Sequence, residues 1–135
     1  MVDLSVNWFA VVVAGLAYYV LGGLWYSPAL FAKPWLKYAG VQPKASGRWS
    51  VPGMVTSFVT GLAMAFVLAV LLRSVRAEAA GAAVTWALLT GIGLVGAVVT
   101  TTYTFEGKHP KLLLINAGYP VVGYCLMALV LTLWK

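Results

Sequence analysis

Hydrophobic positions form four long blocks along this chain. No charged residue occurs within four stretches, Leu4–Ala32, Trp49–Leu72, Ala79–Phe105 and Leu112–Trp134. A helix needs about 20 apolar residues to cross the roughly 30 Å hydrocarbon core of a bilayer, and each block is long enough. The blocks lack the alternation of membrane β-strands. The pattern therefore predicts four transmembrane helices, spans one to four, over residues 6–26, 53–72, 82–104 and 112–134.

The composition leaves little room for any other kind of structure. The 135 residues are 62% hydrophobic and 9% charged, whereas a soluble domain has about 25% charged residues. We therefore predict a single domain over residues 1–135, an all-α membrane protein with a four-helix transmembrane bundle. A weak internal similarity between residues 8–31 and 86–105 favours an arrangement as two parallel helical hairpins.

The basic residues predict an orientation in the membrane. The net charge is +6. The loops before span two and before span four hold Lys33, Lys37, Lys44, Arg48, Lys108 and Lys111. The opposite side holds Arg73, Arg76 and Lys135. The positive-inside rule places the first set in the cytoplasm and both termini outside. These side chains predict contact with anionic headgroups rather than with nucleic acid. We call the two ends of the bundle the lysine end and the terminal end.

The first loop contains three features of its own. Pro28 and Pro34 interrupt any continuation of span one. Aromatic and basic residues then mix over residues 30–38, which predicts either a short segment in the headgroup layer or an irregular loop with aromatic anchors. The stretch Gln42–Ser50 is rich in turn-forming residues and is predicted to be solvated and flexible.

Small residues repeat at a spacing of four on two spans. Span two carries Ser57, Gly61, Ala65 and Ala69, and span three carries Gly93 and Ala97, followed by Thr101. Such stripes let helix backbones approach closely in lipid. We expect spans two and three to pack through them. The alternative is an interface with a second copy, and with only four helices we expect a homo-oligomer.

Polar residues within the spans gather at the lysine end. The candidate ligand-binding residues are Thr56, Thr60, Thr100, Thr101, Asn116 and Tyr119 within the membrane and Glu106 at its border. Pro120 cannot donate a backbone hydrogen bond to the Asn116 carbonyl, so position 116 offers an amide and a carbonyl together. Two interpretations remain open, a vestibule filled by water or ligand, and hydrogen bonds within or between helices. Glu106 either pairs with a nearby lysine or acts as a gate or as an anchor for a cationic group.

The sequence contains little that predicts catalysis. None of the predicted spans contains Asp, Glu, Lys, Arg or His, which argues against proton-coupled transport. His109 is the only histidine and Cys125 the only cysteine, too few to form a metal site. No nucleophile–base pair or phosphate loop is present. We therefore predict no catalytic residue, metal or cofactor, and an enzyme is the least favoured function class.

Several short motifs resemble a known family. They are Asn7-Trp8, the segment Gly22–Pro28, Phe105-Glu106-Gly107 and the segment Leu112–Tyr119. Together they resemble the domain-of-unknown-function 1761 family of small bacterial membrane proteins across nearly the whole chain. The resemblance implies a four-span protein of the bacterial inner membrane, and it implies no activity or substrate.

Two functions follow from these observations. The first is binding or passage of a small molecule or lipid through a polar pocket at the cytoplasmic end of the bundle. The second is a structural or accessory membrane subunit that acts by helix–helix packing. Replacement of Asn116 separates them, because only the first function requires its amide.

Overall fold

The computed structural model describes residues 2–40 and 51–134, and their regular structure is helical. The helices are α1 (Trp8–Trp25), α2 (Ala32–Ala39), α3 (Val51–Ser74), α4 (Ala80–Thr90), α5 (Ala97–Glu106) and α6 (Pro110–Leu133), with a π-helical segment at Gly91–Gly96. Four continuous helices are long and apolar enough to cross a membrane: α1, α3, the stretch Ala80–Glu106, and α6. They are spans one to four, and the predicted all-α fold is confirmed. The predicted solvated stretch Gln42–Ser50 lies outside the described residues.

Local chemistry explains where the spans begin and end. The Asn7 side chain accepts hydrogen bonds from the amides of Phe9 and Ala10 and so caps span one. Gly107 has a φ of 66°, a left-handed conformation that ends span three at little cost because glycine has no Cβ. Pro110 then occupies the first turn of span four, where its missing N–H is not needed.

The first loop folds into the short helix α2. It ends at Gly40, whose φ is 68°. Of the two predicted arrangements, the structure contains a regular helix rather than an irregular loop. This helix contacts span four, and its Trp35 ring meets Tyr26 edge-on at 5.2 Å between centroids. Aromatic packing thus holds α2 against the lysine end of the bundle.

Spans one and four form the central seam of the bundle. Span one packs against spans two and four, and span four packs against span three. Small residues permit these approaches. A methyl group added to Gly15 would lie 2.7 Å from a Leu62 side-chain atom of span two. One added to Gly91 of span three would lie 3.2 Å from the backbone of Val121 in span four. Each hairpin is therefore packed internally, and the seam joins the two hairpins.

The expected packing of span two on span three is not found. These spans make far less contact with each other than with spans one and four. Gly61 faces span one instead, because a methyl group there would lie 3.5 Å from the Tyr18 ring. On span three, Gly93 and Ala97 are exposed. The spacing of small residues predicts helix faces that allow close approach, but it does not predict which helix packs against each face. Gly15 allows span two to pack on span one, and the seam places span three against span four.

The small-residue positions divide between buried and exposed environments. Gly61, Ala65 and Ala69 are buried. Ser57, Gly93 and Ala97 are exposed, and no described atom lies within 4 Å of a methyl group placed on Gly93. The stripe on span two therefore lies inside the bundle over most of its length, whereas the stripe on span three has no partner within the described chain.

Candidate functional site

Asn116 lies at the centre of a hydrogen-bonded network at the lysine end. Its side-chain oxygen accepts a hydrogen bond from the Tyr26 hydroxyl at 2.8 Å. Its side-chain nitrogen donates to the Tyr103 hydroxyl at 2.7 Å. The amide thus connects the ends of spans one, three and four. One N–H and one lone pair of the amide remain for a further partner.

Two further bonds connect span one to span four beside this network. The Trp25 indole donates to the Ile115 carbonyl at 2.9 Å. The Tyr119 hydroxyl donates to the Tyr18 carbonyl at 2.7 Å, and the rings of these two tyrosines stack at 4.4 Å. Tyr119, predicted as a ligand-binding residue, therefore has its hydroxyl engaged with backbone. In lipid such bonds satisfy polar groups that would otherwise be unpaired.

Charged residues lie next to the Asn116 network at the lysine end. Glu106 pairs with Lys108 at 3.0 Å, and the Lys108 ammonium lies 4.6 Å from the centre of the Tyr103 ring. The hydrogen bond to Glu106 raises the pKa of Lys108. His109 accepts a hydrogen bond from the Lys111 amide through Nδ1 and stacks on Tyr38 at 4.1 Å. Glu106 thus has a lysine partner, and His109 contributes to a helix cap and an aromatic contact.

The four candidate threonines lie outside the Asn116 network. Thr60, Thr100 and Thr101 each donate a hydroxyl hydrogen bond to the carbonyl four residues earlier, over 2.8, 2.7 and 3.1 Å. These three and Thr56 are exposed on the outer surfaces of spans two and three. A helical threonine that bonds to its own backbone can face lipid without an unpaired hydroxyl. The structure thus brings Asn116 and Tyr119 close together and leaves the threonines on the flanking helices.

A groove separates spans two and three at mid-depth. Its volume is about 280 Å³, and its lining includes Met64 and Val67 of span two, Leu94 of span three and Tyr124 of span four. The Tyr124 hydroxyl donates to the Met64 sulfur at 3.4 Å, which is a weak acceptor. The π-helical segment Gly91–Gly96 forms part of the span-three wall, and π-helical turns frequently occur at functional sites.

Sequence reasoning missed three residues of this region. Tyr26 and Tyr103 were not among the predicted site residues, yet both hydrogen-bond Asn116. A depth comparison could have found them, because both lie at span ends level with Asn116. Tyr124 carried no signal in the sequence, since its partner Met64 is ordinarily an apolar core residue.

A protein site for a metal ion usually needs a cluster of three or four ligating side chains. Within residues 2–40 and 51–134, no group of three His, Cys, Asp or Glu side chains could hold one. Cys125 is a free thiol, half-buried in span four.

The comparison with protein families gives one decisive match. The model of a family described as protein of unknown function, DUF1761, matches residues 9–132, nearly the whole chain. The chain belongs to this DUF1761 family. The match confirms the resemblance that the sequence motifs indicated. No curated protein and no solved structure matches the chain. Family membership and the four apolar helices together define a multi-pass membrane protein, with lipid around its spans.

Proposed function

We propose that the protein binds a membrane amphiphile, a lipid or a lipid-like small molecule, in the groove between spans two and three. The observation that carries this proposal is the groove itself, of about 280 Å³. Because spans two and three pack on spans one and four rather than on each other, the groove is open to the bilayer on one side. An acyl chain is the occupant that surrounding lipid supplies directly.

The chemistry of the groove wall favours an apolar chain that carries one polar atom. Met64, Val67 and Leu94 offer apolar contact. The Tyr124 hydroxyl has a sulfur atom as its described partner, so an ester or amide carbonyl of a ligand would be a stronger acceptor. The face of span two that carries Met64 continues toward the lysine end through Thr60 and Thr56, one and two turns earlier.

The polar end of the amphiphile is proposed to lie at the lysine end. Thr56 and Thr60 continue the Met64 face of span two toward the lysine end, and Thr100 and Thr101 lie toward the same end of span three. Their hydroxyl oxygens can still accept a hydrogen bond while they donate to their own helices. Lys108 and Glu106 provide charge at the lysine end. Asn116 has the supporting role of fixing the ends of three spans through Tyr26 and Tyr103.

The orientation is part of the proposal. We propose that the lysine end lies on the cytoplasmic side of a bacterial inner membrane. The polar group of the amphiphile then faces the cytoplasm, and both termini lie outside it. Reporter fusions at the C-terminus test this directly. We expect activity from a reporter that functions outside the cytoplasm, and activity from a cytoplasmic reporter at the same site would contradict the orientation.

Binding is tested with a substitution that fills the groove. Ala63→Phe places a ring beside Met64 in the groove lining. We expect the number of lipid molecules that co-purify with the wild type in mild detergent, counted by mass spectrometry, to fall by one in this variant. Ala82→Phe is the matched control, because Ala82 is an exposed alanine of span three outside the groove lining. Equal lipid retention by the wild type and Ala63→Phe would contradict the proposal.

A second candidate function is that of a structural or accessory subunit. It is favoured by the exposed stripe of Gly93 and Ala97, which has the small residues that helix association in lipid requires. On this proposal Gly93→Leu lowers self-association in cross-linking experiments. Gly81→Leu is the control, since a methyl group on Gly81 also has no described atom within 4 Å. Unchanged association in Gly93→Leu would remove the stripe as the interface.

A further inference from the structure

A second cavity lies at the terminal end of the bundle, remote from the Asn116 network. Its volume is about 470 Å³. The segment before span one, the end of span two with the following turn, and the end of span four all contribute to it. Its polar lining residues are Asp3, Asn7, Arg73, Arg76, Glu78 and Thr132, and its remaining walls are mostly alanine, valine and leucine. A charged rim over apolar walls is the pattern that an amphiphile requires.

Thr132 provides evidence that this cavity receives a ligand atom. The residue is 7% exposed, and its buried hydroxyl has no hydrogen-bond partner among the described residues. Thr85 and Thr90, in contrast, donate to the carbonyls four residues earlier. A buried hydroxyl without a partner is unfavourable. An oxygen atom of a molecule in the cavity would satisfy it.

Two arginines give the cavity its anion-binding character. The Nε of Arg73 donates to Asp3 at 2.8 Å, which leaves its two terminal nitrogens for another acceptor. Arg76 makes no ion pair with a described residue, and it adopts a φ of 54°, rare for a residue with a Cβ. Asp3 already accepts hydrogen bonds from Ser5 and Arg73. The guanidinium groups are therefore suited to bind phosphate oxygens.

A second acidic residue in the lining, in addition to Asp3, restricts the class of ligand that the cavity can bind. Glu78 also lines the cavity, and its charge disfavours a ligand that carries two or more negative charges. A phosphodiester has one negative charge, and an attached ammonium group would place a positive charge near the Glu78 carboxylate. Arg73 lies in the last turn of span two and Trp134 directly follows span four. The cavity is thus level with lipid headgroups, where tryptophan is enriched.

We propose that this cavity binds the headgroup of a zwitterionic phospholipid. Arg73 and Arg76 hold the phosphodiester, the Thr132 hydroxyl donates to one of its oxygens, and Glu78 faces the ammonium group. The site is independent of the groove between spans two and three, because the two share no lining residue.

The test measures lipid retention by native mass spectrometry after exchange into phosphatidylethanolamine or phosphatidylglycerol. We expect the wild type to retain phosphatidylethanolamine preferentially. Arg76→Gln and Thr132→Val should each weaken this retention by about tenfold, as expected for loss of a hydrogen bond to a charged group. Arg76→Lys should restore part of it. Lys33→Gln, a charge change on an exposed residue at the lysine end, serves as the control and should leave retention unchanged.

Three outcomes would overturn the proposal. They are equal or stronger retention of phosphatidylglycerol, unchanged retention in both Arg76→Gln and Thr132→Val, and displacement of the lipid by soluble glycerophosphoethanolamine. The last would assign the cavity to a free phosphodiester instead. Unfolding of Thr132→Val in lipid-free detergent separates binding from folding. Because its hydroxyl has no described partner, this variant should be at least as stable as the wild type.

Discussion

The ring of Tyr18 in span one lies directly against the backbone of Gly123 in span four. A methyl group on Gly123 would overlap two atoms of that ring. The ring has no room to withdraw, because Tyr18 is 5% exposed and stacks on Tyr119. Glycine at position 123 therefore sets the distance between the two central helices.

Replacement of Gly123 by alanine should destabilise the seam. Overpacking of a well-packed core costs about 1–3 kcal/mol, and we expect a decrease of that size in the free energy of unfolding, measured in mixed micelles. Gly93→Ala is the control, since no described atom lies within 4 Å of the added methyl group. Alanine also favours a helix over glycine, so this control should be neutral or stabilising. Equal losses in the two variants would contradict the role of Gly123.

The Asn116 network predicts a measurable coupling between spans three and four. Asn116→Leu removes the partners of both Tyr26 and Tyr103, and we expect a loss of about 1–2 kcal/mol in the free energy of unfolding. A double-mutant cycle with Tyr103→Phe isolates the bond between these two side chains. The double variant should be less destabilised than the sum of the single variants. Strict additivity would show that the amide–tyrosine bond contributes nothing.

We predict that the π-helical segment sets the direction of Tyr103 around the axis of span three, and so its contact with Asn116. A turn with i→i+5 hydrogen bonds contains one residue more than an α-helical turn. Deletion of Gly93 should restore an α-helical turn and rotate α5 by about 100° relative to α4. Tyr103 would then no longer reach Asn116. In this deletion background, Tyr103→Phe should cause no further loss of stability. A full additional loss would show that the π-helical segment does not control this contact.

The segment before span one predicts an acid-sensitive contact. Hydrogen bonds from Ser5, followed by the one from Arg73, lower the pKa of Asp3 from 3.8 to about 2. A lowered pKa means that the carboxylate stabilises the folded state above the unfolded value, and that this contribution is lost as the pH falls from about 4 to about 2. Carboxyl NMR of Asp3 should show the low midpoint. Ser5→Ala and Arg73→Gln should each raise the pKa of Asp3. An unchanged midpoint in both variants would contradict the assignment.

The number and helical nature of the spans could be predicted from the sequence, but the order in which they pack could not. Uncharged blocks of more than 20 residues have few other solutions in a bilayer. Small residues, in contrast, occur on every span. Gly15 and Gly123 mark the faces that pack, whereas Gly93 lies on an exposed face. Spacing alone does not distinguish these glycines, because the difference depends on which large side chain stands opposite.

The candidate polar residues were chosen by their depth in the membrane. Their direction around the helix axis also determines which groups they contact, and depth does not give that direction. Thr100 and Asn116 both lie toward the lysine end, as predicted, but they face different directions. Thr100 donates to the Gly96 carbonyl on its own helix, whereas Asn116 faces Tyr103. The π-helical segment shifts the helical phase between α4 and α5, so a regular 3.6-residue wheel assigns the faces of span three incorrectly. The sequence contains no simple marker for that shift.

The central seam has a consequence for biosynthesis. Span one is made first and span four last, yet they form the middle of the bundle. While the chain is being synthesised, the face of span one that carries Tyr18 therefore lies in the bilayer without Gly123, its neighbour in the finished bundle. Throughout this interval that face is available to a membrane chaperone or a tightly bound lipid. Insertion of span four would then displace the chaperone or lipid.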